Sequence, residues 1–552
     1  MNNTLLQHFR DIDDPKYTSL KKRVICNIKQ YNAMSNEIQK FLTIEETTGI
    51  LDYLITFVRN VIRMGFASEK YTEELNLLYD YDEENQQQYN TTITKISDFF
   101  KSTLPTELQP YEFYLHRVLT ERPVDSTVDM SKYKTIADSL EQYQTIINDH
   151  SFGEESLSDA FWSHRNRSHI CQNTDDAALL AAINNSCDSI SSLYAYIKMY
   201  QYDLARSNGF GSPLEYIADK YCISNNAIDT MLHHTINYSN HISGFLKRFD
   251  EFGFSSQEKL LLSITNPAKL NALSFSIEKA LDLLEECFSE LDQQFGEMIR
   301  SAKNENWIDW EKRSGKLTGS YTNVIPFCKK SIISMNFDGS ISDICKLAHE
   351  LGHAYHGLCV CEFSFYNTDF SVITAEMFGL FCENYAFLFL AKRFMSPIES
   401  SAWKSEFYCN ALRTFMINLT AFHFEKESFD NVKNDVQLPT EIYCLVLDRL
   451  GLHQSDGFQS YDWMFRSQNF FPDFFYYNFV YVIGEAIALS SIYSLINKEI
   501  NFSSIKKMLI HSGIDNVDNL FHSINQDLTS PNIYDIISIL DHLWNESFNY
   551  TD

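Results

Sequence analysis

Hydrophobic positions recur along most of this chain at the spacing of amphipathic helices, three or four residues apart. The clearest helical patterns run over residues 37–60, 97–104, 130–147, 226–248, 257–264 and 269–303. Polar stretches separate them, and the acidic, Gln-rich run at 80–90 is predicted to be a solvated helix end or loop. The pattern therefore predicts a mainly α protein.

One convincing β segment lies between residues 319 and 336. Residues 321–326 and 331–335 have the composition of short strands, and a turn containing Lys329 and Lys330 separates them. The chain has no repeat of fixed period and no long Pro/Gly/Ser linker. We therefore expect its domains to share an interface.

The clearest chemical motif is the HExxH sequence at residues 349–353. His349 and His353 are four residues apart, so on a helix they project from one face and can share a zinc ion. Glu350 can then act as a general base on a water molecule at that metal. The alternative is a surface helix that carries two chance histidines. The residues that follow favour the metal site.

A catalytic zinc ion needs a third protein ligand and one open position. Residues 369–383 are apolar and free of proline, which predicts a second buried helix. Glu376 and Glu383 lie seven residues apart on one face of it, and a buried carboxylate requires a partner. We predict Glu376 as the third ligand, with a salt bridge as the alternative. Glu383 is predicted to orient a ligand histidine or to form a structural ion pair.

Three stretches of the chain resemble the M3 family of zinc metallopeptidases, most closely its oligoendopeptidase F branch. They are residues 315–321 with 334–339, residues 349–357, and residues 369–383. The first is similar to the family's Gly-Lys-x-x-Gly-Ala-Tyr and Asn-Tyr-x-Gly segments, and the second to its HELGHxxH core. The third keeps the Asp-x-Ser-x-x-x-Ala-Glu spacing. The likeness covers the catalytic half, and we find no specific match before about residue 111.

The resemblance implies a mainly α, two-part, clam-like helical peptidase with a deep channel and a small β element beside the zinc-binding helix. It implies a helical N-terminal lid region at 1–190 and a catalytic domain at 191–552. Short unstructured peptides would be the substrates, bound along the strand at Gly319, Ser320 and Tyr321 by main-chain hydrogen bonds. His356 and Asp369 would support the metal ligands together with Glu383.

Residues 470–484 resemble the family's tyrosine-rich helix entry, which implies hydrogen-bond donors for the oxyanion formed during peptide hydrolysis. Tyr481 aligns through Gly484, and Tyr476 and Tyr477 are further candidates. Packing in an aromatic core is the alternative for each tyrosine. The family usually has a histidine shortly before these tyrosines, and this chain has Phe-Pro-Asp at 471–473 instead. The departure suggests a restricted substrate or reduced activity.

The amino-acid composition limits the classes of binding partner and the cell compartment that we expect for this protein. The 552 residues carry 45 basic and 73 acidic side chains, a formal net charge of −28, which argues against nucleic acid. The acidity either steers cationic peptides or only keeps the protein soluble. The 12 cysteines form no paired framework, and residues 1–14 show no signal peptide, so we expect reduced thiols and a cytoplasmic protein. Residues 479–496 are predicted to be a buried helix, with no membrane partner.

The sequence thus predicts a zinc endopeptidase for oligopeptides with one Zn²⁺ per chain. His349, His353 and Glu376 are the predicted ligands, and Glu350 is the predicted base. Two alternatives stay open. One is a dedicated processing peptidase for one precursor or signal peptide. The other is a zinc-bound peptide-binding protein without turnover, for which Glu350 would be unnecessary. The oligomeric state stays open.

Overall fold

The computed structural model describes most of the chain. The described residues are 5, 8–66, 68–97, 104–120, 143, 146–147, 156–158, 160–161, 176–247, 273–313, 316, 319–432, 438–452, 458–472 and 475–548. Of the predicted helices, those at 97–104, 130–147 and 257–264 lie wholly or for the most part outside these residues.

Helices form nearly all the regular structure of the described residues. In chain order they are α1 (Pro15–Gln30), α2 (Glu37–Val61), α3 (Glu69–Ile96), α4 (Glu112–Thr120), α5 (Asp176–Ser207), α6 (Pro213–Lys220), α7 (Asn225–Lys247), α8 (Ile277–Ser289), α9 (Gln293–Asn304), α10 (Ile341–Val360), α11 (Val372–Phe394), α12 (Ser400–Val432), α13 (Pro439–Arg449), α14 (Tyr477–Ile496), α15 (Phe502–His511), α16 (Val517–His522) and α17 (Ile536–Phe548). The strands are β1 (Ile308–Asp309), β2 (Tyr321–Ile325) and β3 (Lys330–Ser334).

The chain divides into two compact units that interleave along the sequence. The first contains Met1–Glu121, Asn271–Arg393 and Ser494–Asn525. The second contains Arg122–Leu270, Phe394–Tyr493 and Gln526–Asp552. The sequence predicts two domains, 1–190 and 191–552, that meet at one boundary in the chain, and this division stays a prediction. The predicted channel also stays a prediction.

In the first unit, α1, α2 and α3 pack around an apolar core. Polar caps fix where the helices begin: the Asp14 side chain accepts from the backbone N–H of Lys16, and Asn36 caps α2 in the same way. The core includes Leu54, Phe57 and Val58 of α2, Leu78 of α3, and Ile325 and Ile332 of the sheet. The sheet is therefore packed on this helical layer by its apolar residues.

The small sheet has the strand order β1-β3-β2, so β2 is an edge strand of the described sheet. β2 runs antiparallel to β3 with Thr322 opposite Ile333, and β1 runs parallel to β3. Lys329, at φ 54°, adopts the left-handed conformation at the turn between β2 and β3. The two predicted strands are confirmed; of the two residues predicted for the turn, Lys329 lies in it and Lys330 is the first residue of β3.

The second unit contains α5–α7, α12, α13, α17 and most of α14. Its core is aromatic: Trp463 is fully buried against Tyr194 and Phe424. A buried Lys198–Glu425 ion pair links α5 to α12. The Glu425 carboxylate also accepts from the backbone N–H of Tyr476 at 2.7 Å, just before α14 begins.

The mainly α prediction is confirmed, and two local predictions are wrong. Residues 80–90 lie inside α3. This helix tolerates a polar surface because most of that run is exposed and Asn85 is its one buried residue. The pattern at 269–303 contains two helices, α8 and α9, because the Asp292 side chain caps a new helix by accepting from the backbone N–H of Phe295.

Two described helices, α11 and α14, are long and apolar enough to span a membrane by length and composition alone. In each, 72% of the most apolar window is buried inside the structure. Such burial is what a core helix of a globular protein requires, and it agrees with the prediction of a buried helix at 479–496.

Candidate metal centre

The HExxH motif lies in the middle of α10, in the first unit. The helix begins after Ser340, whose hydroxyl accepts from the backbone N–H of Asp343 at 3.1 Å. His349 and His353 project from the same face one turn apart, and their ring centroids are 4.6 Å apart in an edge-to-face arrangement. The predicted geometry of the histidine pair is thus present.

Two glycines allow α10 and α11 to approach each other closely. A Cβ atom at Gly379 would lie 2.7 Å from His349 Nε2, and one at Gly352 would lie 2.9 Å from Cys382 Sγ. Any larger residue at these positions would force the helices or their side chains apart. Gly379 lies three residues after Glu376, so this close approach brings the Glu376 carboxylate to the histidine pair. Sequence reasoning missed this role, although a glycine inside a predicted apolar helix was a visible signal.

The three predicted ligands come together. Glu376 Oε2 lies 3.2 Å from His349 Nε2 and 3.7 Å from His353 Nε2. One ligand atom from each of these residues lies within 4.8 Å of the other two. Two imidazole nitrogens and one carboxylate oxygen form the donor set of catalytic zinc sites, which leave a fourth position open.

The surroundings of His349 indicate that a cation fits this cluster. His349 Nδ1 lies 3.3 Å from Glu383 Oε2, and His349 Nε2 lies 3.2 Å from Glu376 Oε2, so each ring nitrogen faces a carboxylate. With one proton on Nδ1, Nε2 and Glu376 Oε2 are both acceptors and repel each other unless a second proton or a metal ion lies between them. The side chains present therefore fit a divalent metal ion.

The electrostatics of the cluster without metal reflect the same geometry. Burial lowers the pKa of His349, but Glu376 and Glu383 outweigh it, so the pKa lies well above its usual range. The pKa of His353 is lowered by burial and by neighbouring His349. The carboxylates thus favour one positive charge on the histidine pair, and a bound metal ion would supply such a charge.

The Glu350 side chain is 4% exposed, beside the ligands on α10. Its Oε2 atom lies 2.6 Å from the hydroxyl of Thr322 on β2, which also lies 3.0 Å from the Glu350 backbone oxygen. Thr322 is a second residue that sequence reasoning missed. It lies 28 positions away on another element, and no motif signals the contact.

His356 is not part of the candidate metal cluster that the structure shows among the described residues. It is fully buried, stacks on Phe370, and its Nε2 lies 2.7 Å from the Ser512 hydroxyl. Because that hydroxyl donates to the Leu509 carbonyl, His356 Nε2 carries the proton and donates to Ser512. Burial lowers the pKa of His356 to about 3, so the ring is neutral at pH 7. His356 thereby joins α10 to the end of α15.

Asp369 and the predicted substrate-binding residues lie at the surface of the first unit. Asp369 is exposed and accepts from Arg117 Nη2 at 2.8 Å. Gly319, at φ 96°, has open space where a Cβ atom would be, and Ser320 is exposed. Tyr321 begins β2, and its hydroxyl donates to Asn60 Oδ1 at 3.1 Å. The roles assigned to these residues stay predictions.

The tyrosine candidates belong to the second unit. Tyr476 is 2% exposed, has φ 57°, and packs on Phe422 and Phe429. Tyr477 and Tyr481 lie one turn apart on α14, with their hydroxyl oxygens 3.4 Å apart and their rings edge to face. The structure therefore pairs two of the candidate hydroxyls and buries the third side chain. Their catalytic role stays a prediction.

Comparison with solved structures identifies the fold. Pz peptidase A, solved with an inhibitor, superposes with a TM-score of 0.71 at 13% identity, covering 96% of this chain and 97% of that one. This likeness extends over both units and shows a shared fold. The protein therefore has a mainly helical peptidase fold.

Sequence comparison shows which proteins part of the chain resembles. Residues 275–535 match the model of peptidase family M3, a region that includes α10, α11 and β2. An oligoendopeptidase F homologue of Mycoplasma genitalium is 32% identical over 105 residues, 19% of this chain and 17% of the relative. Group B oligopeptidase PepB of Streptococcus agalactiae is 24% identical over 236 residues, 41% of this chain and 38% of the relative.

Residues 275–535 are thus similar to peptidase family M3, and part of the chain is similar to oligoendopeptidase F. The resemblance stated from the sequence is confirmed. The alignments span less than two fifths of each curated relative's own length.

Proposed function

We propose that this protein is a zinc-dependent endopeptidase that hydrolyses short, unstructured oligopeptides. The observation that carries the proposal is the cluster of His349, His353 and Glu376, with ligand atoms within 4.8 Å of one another. The buried carboxylate of Glu350 lies beside it on the same helix. The match of residues 275–535 to the model of peptidase family M3 supports a peptide substrate.

His349, His353 and Glu376 would hold one zinc ion per chain. Bound zinc supplies Lewis acidity, which polarises the scissile carbonyl and lowers the pKa of water. Glu383 holds His349 in the tautomer that presents Nε2 to the metal, because its Oε2 atom lies 3.3 Å from Nδ1.

Glu350 acts as the general base and then as the general acid. It follows His349 directly, so its carboxylate lies beside the metal ligands and does not need to bind the metal. It takes a proton from the attacking water and later delivers it to the leaving amine. The Thr322 hydroxyl, 2.6 Å from Glu350 Oε2, holds the carboxylate in one orientation.

The edge strand β2 supplies the surface that binds the peptide backbone. One side of β2 pairs with β3, and the other side has no strand partner among the described residues. An extended peptide can add to such an edge by main-chain hydrogen bonds, without dependence on most of its side chains. A folded protein offers few unpaired extended segments, so we expect unstructured peptides to be the substrates.

Metal analysis and peptide cleavage test this proposal. Purified protein should contain about one zinc per chain and should cleave a mixed peptide library, as followed by mass spectrometry. Glu350→Gln should keep the zinc and lose turnover, because Glu350 contacts water and not metal. Glu362→Gln, at an exposed glutamate just beyond the end of α10, is the matched control and should keep full activity.

The outcomes separate the alternatives. Cleavage of one or a few sequences from a diverse library would favour a dedicated processing peptidase. Zinc and peptide binding without cleavage would favour a peptide-binding protein. A Glu350→Gln variant that cleaves as fast as the wild type would contradict the proposed mechanism.

A further inference from the structure

The strand β2 is held on both of its faces by helices of the first unit. Side chains on a strand alternate between faces, so Thr322 and Val324 share one face and Tyr321 and Asn323 share the other. The Tyr321 hydroxyl and Asn323 Nδ2 both reach Asn60 Oδ1 on α2, at 3.1 and 3.2 Å. The Thr322 face lies against α10.

Two contacts join this face to the HExxH helix. Thr322 Oγ1 contacts Glu350. Val324 packs against Gly357, where an added Cβ atom would lie only 2.2 Å from Val324 Cγ2. Glu350 and Gly357 are seven residues apart, two turns along one face of α10. Gly357 therefore lets β2 come close enough for Thr322 to reach the Glu350 carboxylate.

The Thr322 hydroxyl has one proton and two nearby acceptors on the same residue. It lies 2.6 Å from Glu350 Oε2 and 3.0 Å from the Glu350 backbone oxygen. The shorter contact is typical of a hydroxyl that donates to a carboxylate. The contact thereby holds the carboxylate of Glu350, a residue that is 4% exposed, in one orientation.

We propose that Thr322 is a positioning residue for Glu350, and that it fixes the base relative to the strand along which the peptide binds. The inference rests on the proposed function and deepens it. A peptide paired with the free edge of β2 has its backbone set in register with that strand. Thr322, on the same strand, sets the position of the Glu350 carboxylate. The bound peptide and the Glu350 carboxylate are thereby both positioned relative to β2.

Thr322→Val tests the proposal, because valine keeps the β-branched shape and the strand preference but lacks the hydroxyl. We expect kcat to fall about 10- to 100-fold, the range for a lost hydrogen bond to a charged group, with KM changed less than about two-fold. Thr322→Ser keeps the hydroxyl and should recover most of the rate. Zinc content should stay at the wild-type level in both variants.

A matched control comes from Thr92, a buried threonine of the same unit whose hydroxyl lies 2.8 Å from the Tyr31 hydroxyl. Thr92→Val removes one buried hydroxyl away from α10 and should leave kcat within about two-fold of wild type. If Thr322→Val does not fold, Thr322→Ala removes the same hydroxyl without adding bulk and takes its place.

A second readout does not depend on activity. In the metal-free protein, Thr322→Val should raise the unfolding equilibrium constant about 10- to 100-fold in the wild-type background, the same range as for the loss in kcat. In the Glu350→Ala background it should change this constant by less than about two-fold, because the partner carboxylate is already gone. Equal effects in the two backgrounds would overturn the proposed contact.

The kinetic outcomes separate this inference from the proposed function. If the wild type cleaves peptides and Glu350→Gln does not, a Thr322→Val variant with wild-type kcat overturns the role of Thr322 alone. A Thr322→Ser variant as slow as Thr322→Val also overturns it, since the hydroxyl would not be the cause. An increase in KM with unchanged kcat would assign Thr322 to peptide binding. A wild-type protein that cleaves no peptide would contradict the proposed function itself.

Discussion

Gly379 of α11 lies directly against the ring of His349 on α10. A Cβ atom at residue 379 would be 2.7 Å from both Cε1 and Nε2 of His349, closer than real Cβ atoms approach other groups. The absence of a side chain at this position is what allows the Glu376 carboxylate to reach the histidine pair. The candidate metal cluster therefore depends on a residue that cannot bind metal.

Gly379→Ala should weaken metal binding more than it weakens the fold. The added methyl group pushes against His349 Nε2, so we expect zinc affinity to fall about 10- to 100-fold, as when a residue that orients a ligand is lost. Alanine favours helix by about 1 kcal/mol over glycine, which partly offsets the strain. Titration with a competing chelator measures the affinity.

Gly49→Ala is the control for Gly379→Ala. It makes the same change inside α2, where the added Cβ atom would meet the Phe365 ring at 3.3 Å. Zinc affinity should be unchanged in this variant. Wild-type affinity in Gly379→Ala would show that the helices separate without disturbing the ligands, and that metal binding does not depend on the close approach.

Glu376→Ala and Glu383→Ala should differ in how much zinc affinity and activity they lose. Glu376 is the proposed third ligand, and two histidines alone hold zinc poorly, so we expect the Glu376→Ala variant to lose both metal and activity. Glu383 contacts only His349 Nδ1 within the cluster, and its loss should cost about 10- to 100-fold in affinity or activity. Metal content measured after dialysis distinguishes the two. Equal zinc in wild type and Glu376→Ala would remove Glu376 from the ligand set.

The three residues of the candidate metal cluster could be predicted from the sequence because their signals are local. His349 and His353 are one helical turn apart, and Glu376 is a carboxylate in an apolar helix, which requires a partner. The strands at 321–326 and 331–335 were predictable for the same reason, since alternation and turn residues are read within a few positions.

The supporting contacts could not be predicted because they join distant positions. Thr322 reaches Glu350 across 28 residues, and Ser512 accepts from His356 across 156. A threonine in a strand and a serine at a helix end are ordinary residues, so neither has a sequence signal that points to its partner. The break between α8 and α9 was missed for a different reason: apolar periodicity continues through it, and only the capping residue Asp292 marks it.

His423 on α12 should make stability depend on pH. Burial, helped by nearby Arg449 and Lys426, lowers its pKa to about 4. A lowered histidine pKa means that the folded state stays neutral while the unfolded chain takes up a proton below about pH 6.5. The stabilising contribution is thus complete above pH 6.5 and is lost as the pH falls toward 4.

Replacing His423 should remove this part of the acid sensitivity. Between pH 7.5 and pH 5 the wild type should lose about 2 kcal/mol more unfolding free energy than His423→Phe does. Urea unfolding at the two pH values measures the difference. His522→Phe, at an exposed histidine, is the control and should follow the wild type. Parallel pH profiles for wild type and His423→Phe would show that His423 is not buried in its neutral form.

The tyrosines at the start of α14 can be separated by their hydroxyl groups. Tyr477 and Tyr481 have hydroxyl oxygens 3.4 Å apart, whereas Tyr476 is buried with its ring on Phe422 and Phe429. If Tyr481 donates to the developing oxyanion, Tyr481→Phe should lower kcat by about 10²-fold with little change in KM, because the interaction forms only in the transition state.

Tyr477→Phe should have a smaller effect on kcat if its hydroxyl acts only by orienting Tyr481. Tyr476→Phe keeps the backbone N–H that donates to Glu425 and the ring that fills the core, so kcat should stay within about two-fold of wild type. Steady-state kinetics on one peptide rank the three variants. A kcat for Tyr481→Phe equal to that of the wild type would assign Tyr481 to packing. A large loss in Tyr476→Phe alone would transfer the oxyanion role to the residue whose burial argues most against it.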